Sequence, residues 1–354
     1  MRALLPHFCL QGTRACAIIQ KLCQAVEIPC LARHGSYHTI EMKEKKGAKL
    51  PMNERTMRIL AKPMLFLAAF IWGSSFFIMK GTVDVIPTFF LLAFRFTGGA
   101  VLLGLFCWKK WRGMTRDYLW RGAIIGGFLF LAYSVQTFGL MGTTPSKNAF
   151  LTAVYCVIVP FLYWLAAKQR PDKFNILAAV LCVAGVGFVS LTSDFSVTWG
   201  DALTLCCAVF YAAHIVAVAK VSPGKDIYLL TVFQFAFAAL YAWICGFLFQ
   251  ELPPASVIQA DLVIQMAYLI VMATTVALLF QNVGQVWSDP ASAAVILSLE
   301  SVFGVLCSVI FYGDPVTPRL VVGFALIFVA VVCSETKFSF LRKKNQSDKE
   351  PAAS

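Results

Sequence analysis

Apolar residues in this chain form long continuous runs and do not alternate with polar ones. Ten stretches are long and apolar enough to cross a bilayer as helices, at roughly 17 to 25 residues each. They run about Pro63 to Lys80, Val85 to Trp108, Tyr118 to Met141, Ser146 to Ala167 and Phe174 to Thr192, then Trp199 to Lys220, Ile227 to Phe249, Leu262 to Gln285, Ala291 to Tyr312 and Val316 to Glu335. A barrel strand would show a polar, lumen-facing residue at every second position, and no stretch does. The pattern predicts an all-α integral membrane protein with ten transmembrane helices.

The second half of that pattern repeats the first. Gln136 to Leu151 reappears as Gln281 to Ile296, with Gln136/Gln281, Gly139/Gly284 and Pro145/Pro290 in register at an offset of 145 residues. Upstream, Phe94-Arg95-Phe96 corresponds to Phe233-Gln234-Phe235 and Trp72 to Tyr211, at an offset of 139. Two five-helix repeats follow, 63–192 and 199–335. Five spans is an odd number, so the second repeat enters the membrane in the opposite sense, as an inverted-topology pair. Such pairs build one substrate site at the repeat interface in secondary transporters.

Composition and charge sharpen this picture. The chain is 59% hydrophobic and 14% charged, with a mean hydropathy of +0.74, against about 25% charged residues in an ordinary soluble domain. Starting the first span in the cytoplasm puts fifteen cations on the cytoplasmic connections and tail: Lys109, Lys110, Arg112, Arg116, Arg121, Lys168, Arg170, Lys173, Lys220, Lys225, Lys337, Arg342, Lys343, Lys344 and Lys349. Only Lys80, Lys147 and Arg319 fall on the other side. The positive-inside rule then places both termini in the cytoplasm of a multi-pass protein of the plasma membrane. The net charge of +12 reports orientation and contact with the lipid bilayer, and no nucleic acid partner is expected.

Residues 1–56 contain no spanning run and no signal-peptide pattern, and 336–354 form a basic cytoplasmic tail. Cys9, Cys16, Cys23 and Cys30 recur every seven residues, a spacing too wide for a metal site built on close pairs. The segment is expected to be disordered or a mis-assigned start, with the native protein beginning at Met52 or Met57. Intact mass of the product of the native gene tests this. The other eight cysteines, and Gly122 and Gly126 in a GxxxG step, read as helix-packing residues. No metal or other cofactor is expected.

The chain resembles the EamA-like branch of the drug/metabolite transporter superfamily over Pro63 to Glu335. The resemblance rests on WGSSFF at Trp72 to Phe77, FRF at Phe94 to Phe96, and TTPSKNAFLTAVYCVIVPFL from Thr143 to Leu162. It extends to GDALTLCCAVFYAAHIVAVAK from Gly200 to Lys220 and SDPASAAVILSLESVFGVLCSVIFYGDP from Ser288 to Pro315. The chain carries Glu300-Ser301 where the family commonly shows Glu-Pro, and Gly313-Asp314 where it shows Gly-Glu. The resemblance implies a carrier of a small polar metabolite, amino acids and their relatives first, then nucleosides, sugars, nucleotide-sugar-like compounds or toxic amphiphiles, expected to work as an exporter by alternating access.

Candidate chemistry lies in the polar groups that meet the cost of burial. Arg95 and Glu300 sit near the middle of spans two and nine, where a charge costs several kcal/mol. They either pair with one another or hold ionic groups of a substrate. Lys147 opens span four, either attracting anions or reaching to the interface. His214 is either a proton relay, with protons then a coupling partner, or a hydrogen-bonded helix contact. Trp72, Ser74, Ser75, Tyr133, Gln136, Tyr155, Tyr211, Gln234, Gln281 and Asn282 are candidates for the cavity wall. Gly139, Pro145, Gly284 and Pro290 are hinge or turn candidates. No nucleotide-binding loop occurs, nor HExxH or GxSxG. A membrane enzyme and a non-transporting sensor or partner subunit are the rival classes, and the carrier is expected as monomer or homodimer.

Overall fold

A computed structural model describes residues 52–190, 198–312 and 318–336, all within one compact unit that begins at Pro51. The cysteine stripe, most of the expected N-terminal extension, Gly313-Asp314 and the basic tail lie outside the described residues. Among those described every regular element is a helix.

Helix α1 spans Met52–Val83, α2 Thr88–Phe106, α3 Asp117–Met141, α4 Pro145–Thr152, α5 Tyr155–Ala167 and α6 Lys173–Ser190. Helix α7 spans Trp199–Val221, α8 Ile227–Phe249, α9 Ala260–Tyr268, α10 Ala277–Val286, α11 Pro290–Leu297, α12 Glu300–Tyr312 and α13 Pro318–Thr336. Eight helical stretches are long and apolar enough to cross a membrane, counting α4 with α5, α9 through α10, and α11 with the start of α12 as single spans. The expected fifth and tenth spans correspond to two shorter apolar helical stretches, Lys173–Gly185 and Val321–Ala330.

The first helix starts eleven residues before the expected Pro63. That proline lies inside α1, although the chain upstream, NERTMRILAK, is rich in helix formers and continues the helix. Proline lacks one donor and so removes one backbone bond, a local loss that the long helix accommodates.

Two of the spans are broken. Pro145 and Pro290 each occupy the first turn of an eight-residue helix, capped by Thr144 and Asp289 respectively. Each short helix is followed by two non-helical residues, Ala153-Val154 or Ser298-Leu299, and then by a helix of 13 residues. The discontinuities sit eight residues beyond the prolines. Between α9 and α10 the chain takes π-helical geometry over Leu269–Val276, with Thr275 Oγ1 donating to the Ile270 carbonyl at 2.8 Å.

Contacts between the halves recur at the sequence offsets. Helix α3 packs on α7 and α8, α2 on α8, and α1 on α10 and α12. A Cβ added at Gly139 would fall 2.5 Å from Thr204 Oγ1 and 2.9 Å from the Gly200 carbonyl. One added at Gly284 would fall 2.7 Å from Leu65 Cγ and 2.8 Å from the Ala61 carbonyl. Thr204 and Gly200 are Leu65 and Ala61 displaced by 139, so the two close approaches are the same contact made twice. Gly122 and Gly126 are packing residues as expected, with an added Cβ 2.5 Å from Phe233 Cβ and 2.7 Å from the Gln234 carbonyl.

Polar ties mark the two ends of the bundle. At one end Lys110 pairs with Asp226 at 2.5 Å and Lys225 with Asp117 at 3.0 Å, and Arg121 donates to the Val221 carbonyl. At the other, Lys147 pairs with Asp201 at 3.1 Å, Thr198 donates to the Gly142 carbonyl, and Lys80 to the Leu140 carbonyl.

Candidate functional site

Between the halves lies a cavity with about 580 Å³ of empty space, its mouth included. Helix α1 contributes Trp72, Ser75, Phe76 and Met79, α2 contributes Arg95, and α3 contributes Tyr133, Gln136, Thr137 and Leu140. Asn148 of α4 and Tyr155 of α5 complete the first half's wall. The second half supplies Tyr211, Ile215, Gln281, Leu297 and Glu300.

Arg95 and Glu300 are 3% and 4% exposed, and they face the same cavity. No ion pair joins them among the described residues. The Arg95 guanidinium donates from Nε to Thr274 Oγ1 at 3.1 Å and from Nη1 to Met79 Sδ at 3.2 Å. It also lies 5.1 Å from the centroid of the Tyr133 ring, a cation–π arrangement. Aromatic rings continue from there, Tyr133 to Tyr211 with centroids 5.5 Å apart and Tyr211 to Tyr155 at 6.2 Å. Tyr155 is next to Glu300. Tyr133 and Tyr211 are within electrostatic reach of both charges, so a wall of tyrosine rings spans the space between cation and carboxyl.

Helix discontinuity positions the carboxyl. Glu300 is the first residue of α12, immediately after the break, and Tyr155 is the first residue of α5. The two are in register at the offset of 145. Glu300 Oε1 and Tyr155 Oη are buried beside one another, and neither makes a hydrogen bond of good geometry. A buried polar atom left unsatisfied costs about 1–3 kcal/mol, and here both atoms border empty space that a polar ligand can fill.

Several other wall residues are tied to their neighbours. Gln136 Nε2 donates to Thr152 Oγ1 at 3.0 Å and its Oε1 accepts from Tyr211 Oη at 2.7 Å. Asn148 Nδ2 donates to Thr204 Oγ1 at 2.8 Å. Trp72 Nε1 donates to the Ala273 carbonyl at 2.8 Å, a carbonyl within the π-helical segment. That segment therefore holds two cavity residues, Trp72 through Ala273 and Arg95 through Thr274. Bulges of this kind cluster at functional sites.

Seven of the ten binding or coupling candidates line the cavity: Trp72, Arg95, Gln136, Tyr155, Tyr211, Gln281 and Glu300. Ser75 and Tyr133 join them. Lys147 does not, because its ammonium is held by Asp201 beyond the cavity, a tie that neither sequence reading of it included. His214, Gln234 and Asn282 are buried away from the cavity. Ser74 hydrogen-bonds Tyr268 at 2.7 Å. Gly139 and Gly284 lie within α3 and α10 at close helix approaches, and Pro145 and Pro290 open α4 and α11. Thr274 and Met79 were missed as supports of Arg95. Nothing in an apolar run marks a π-helical register, and one more methionine or threonine in such a run carries no signal.

The model of the EamA-like transporter family matches this chain twice, at residues 60–191 and 198–336. The chain belongs to the EamA-like transporter family. This transporter is 34% identical over 292 residues to an uncharacterized transporter of Archaeoglobus fulgidus, covering 82% of this chain and 89% of that one. An uncharacterized transporter of Bacillus subtilis is 22% identical over 283 residues, covering 77% and 91%. A solved crystal structure matches with a TM-score of 0.66 at 18% identity, over 79% of this chain and 98% of that chain, a likeness of fold. The protein is thus a multi-pass membrane transporter, and its family acts on small molecules.

Proposed function

We propose that this transporter carries a small zwitterionic metabolite, an amino acid or close relative, across the cytoplasmic membrane by alternating access, working as an exporter. One observation carries the reading: Arg95 and Glu300 are buried in one cavity, at 3% and 4% exposure, and do not pair. Two uncompensated charges at this depth are costly. A substrate carboxylate accepting hydrogen bonds from Arg95 and a substrate ammonium donating to Glu300 relieve both at once. The tyrosine faces between them suit the ammonium and its neighbouring carbon atoms. A proton competes with the ammonium for the same carboxyl, which makes Glu300 the proposed point of proton coupling.

Alternating access is supported by the way the halves interlock. Helix α7 begins where Asp201 meets Lys147 and ends where Val221 meets Arg121. Helix α1 carries Gly284's partners Ala61 and Leu65 near its start and reaches Leu140 through Lys80 near its end. That these matched helices run in opposite senses supports the reading of two inverted repeats. The ties at Lys110, Lys225 and Arg121 belong to the cation-rich end, which the positive-inside rule assigns to the cytoplasm together with both termini.

Counterflow into liposomes tests the function. Liposomes containing the purified protein are loaded with mixed amino acids and other metabolites, and uptake of one labelled member at a time is followed, with Glu300→Gln and Arg95→Ala as controls. Saturable exchange of zwitterions, lost on either substitution, is the expected result. Exchange that prefers simple cations or uncharged solutes overturns the substrate reading.

A further inference from the structure

The cavity has a counterpart in the second half that is closed. At the two sequence offsets, the cavity residues Ser75, Arg95, Thr137 and Leu140 correspond to His214, Gln234, Asn282 and Gln285. None of these four lines the cavity, and none is more than 3% exposed. They are nevertheless neighbours. Asn282 Nδ2 donates to Gln234 Oε1 at 2.8 Å and to Thr231 Oγ1 at 3.0 Å, His214 lies against Gln234, and Gln285 follows Asn282 by one turn of α10.

This cluster is unusually short of partners. Asn282 Oδ1 and both amide atoms of Gln285 are buried with no hydrogen bond, and the His214 ring and Gln234 Nε2 have no partner of good geometry beyond each other. Polar groups whose task is to join helices satisfy one another, and native proteins leave few exceptions. Here donors and acceptors are orphaned together in one place, which is the signature of a site that receives a polar occupant. Its position fits. The cavity residue Leu140 lies at the Lys80 and Lys147 end of the bundle, whereas Gln285 adjoins Gly284, which packs on Ala61 and Leu65 near the opposite end.

We infer that His214, Gln234, Asn282 and Gln285 form a second polar binding site, which takes the hydrogen-bonding groups of the zwitterionic solute when the bundle opens at the Lys110 end. The inference rests on the proposed alternating-access reading. Each half then supplies one wall, the first open here and the second collapsed. The exchange of Arg95 for Gln234 has a chemical consequence: neutral amides and an imidazole hold a carboxylate more weakly than a guanidinium does, so the second site passes solute on and does not retain it.

Thiol labelling in nanodiscs, open to reagent from both faces, tests this without any known substrate. Gln136→Cys, in the half-buried part of the cavity wall, and Gln285→Cys, in the closed cluster, are made separately, and labelling by a small polar methanethiosulfonate is measured against the parent chain. In the parent background Gln136→Cys reacts and Gln285→Cys is protected. Adding Lys110→Ala and Lys225→Ala removes two ties at the Lys110 end. The expected result is a severalfold faster reaction at Gln285→Cys and a slower one at Gln136→Cys, with an exchanged amino acid protecting Gln285→Cys. Gln285→Cys that stays inert while Gln136→Cys is unchanged overturns the inference, as does parallel acceleration of both. If Gln285→Cys does not fold, His214→Cys reports the same site. Counterflow by the wild-type chain reads the transport proposal separately, so silence there with reciprocal labelling here condemns the substrate and not the second site.

Discussion

The two broken spans are built alike and differ at one decisive position. Each has a proline-initiated helix of eight residues, a two-residue interruption and a helix of 13 residues. The first residue after the interruption is Tyr155 in one and Glu300 in the other, and both reach the same cavity. The architecture comes from features the halves share, a capping side chain, a proline in the first turn and small residues where helices cross. The chemistry comes from what they do not share. What the halves share sets the frame, and a different residue at a matched position supplies a charge on one side only.

Removing that charge is the sharpest way to break the comparison. Glu300→Gln makes the second break as neutral as the first, and amino-acid exchange is expected to fall by about 10- to 100-fold, corresponding to the ~1.5–3 kcal/mol of a hydrogen bond to a charged group. Tyr155→Phe removes only a neutral hydroxyl and is expected to cost a few-fold, in line with ~0.5–1.5 kcal/mol. Equal losses at the two positions would sink the assignment of Glu300 to the ammonium.

The same logic applies to Arg95 and its mate. Arg95→Gln gives the first half the second half's residue, and affinity for amino acids is expected to fall about 10-fold or more. Competition by the corresponding decarboxylated amines should change far less, because they present nothing to the guanidinium. Inhibition constants measured for paired acids and amines check this, and a uniform loss across both series counts against Arg95 as the carboxylate partner.

Stability should follow the repeated glycine contact. Gly139→Ala drives a Cβ to 2.5 Å from Thr204 Oγ1 and 2.9 Å from a backbone carbonyl, and Gly284→Ala meets the Ala61 carbonyl at 2.8 Å. Each is expected to destabilise by about 1–3 kcal/mol. Gly127→Ala, whose added Cβ comes no closer than 3.6 Å to Tyr241, should be tolerated. Thermal unfolding in detergent ranks the three.

Much of this frame was legible in the residues. Long apolar runs fix helix as the spanning element, because only helices and closed barrels satisfy the backbone in lipid. The matched pairs Gln136/Gln281 and Trp72/Tyr211, with the mid-span charges Arg95 and Glu300 and with Tyr155, are the seven candidates that line the cavity. What was not legible depends on rotation about helix axes and on helical register. The sequence signals that Arg95 and Glu300 are expensive, but only packing decides that they share a cavity without touching. His214 and Gln234 are as polar as any wall residue, yet α7 and α8 turn them away from the space that Ser75 and Arg95 face. The breaks are not legible because Ala153-Val154 and Ser298-Leu299 carry no helix-breaking residue, whereas Pro145 and Pro290 sit in the first turns of the short helices before them.

The smallest expected effect tests the finest difference between the halves. Gln136 and Gln281 are identical residues in register, both lining the cavity, yet they are held differently. Gln136 is fixed at both ends of its amide, by Thr152 and Tyr211, whereas the Gln281 amide makes no hydrogen bond to the described residues. A locked amide belongs to the wall and a free one is available to solute. Gln136→Ala should therefore deprive Tyr211 of its acceptor, leave Thr152 only its contact with Cys207, and lower stability by about 1 kcal/mol, with a modest loss of activity. Gln281→Ala should leave stability nearly unchanged and raise the half-saturation concentration for exchange about two- to ten-fold, the range of one neutral hydrogen bond. Measuring unfolding and exchange on both variants separates the roles, since the two substitutions are predicted to move opposite readouts; if Gln136→Ala alone weakens binding, the solute's place lies on the first half's wall and the division of labour between the repeats must be reversed.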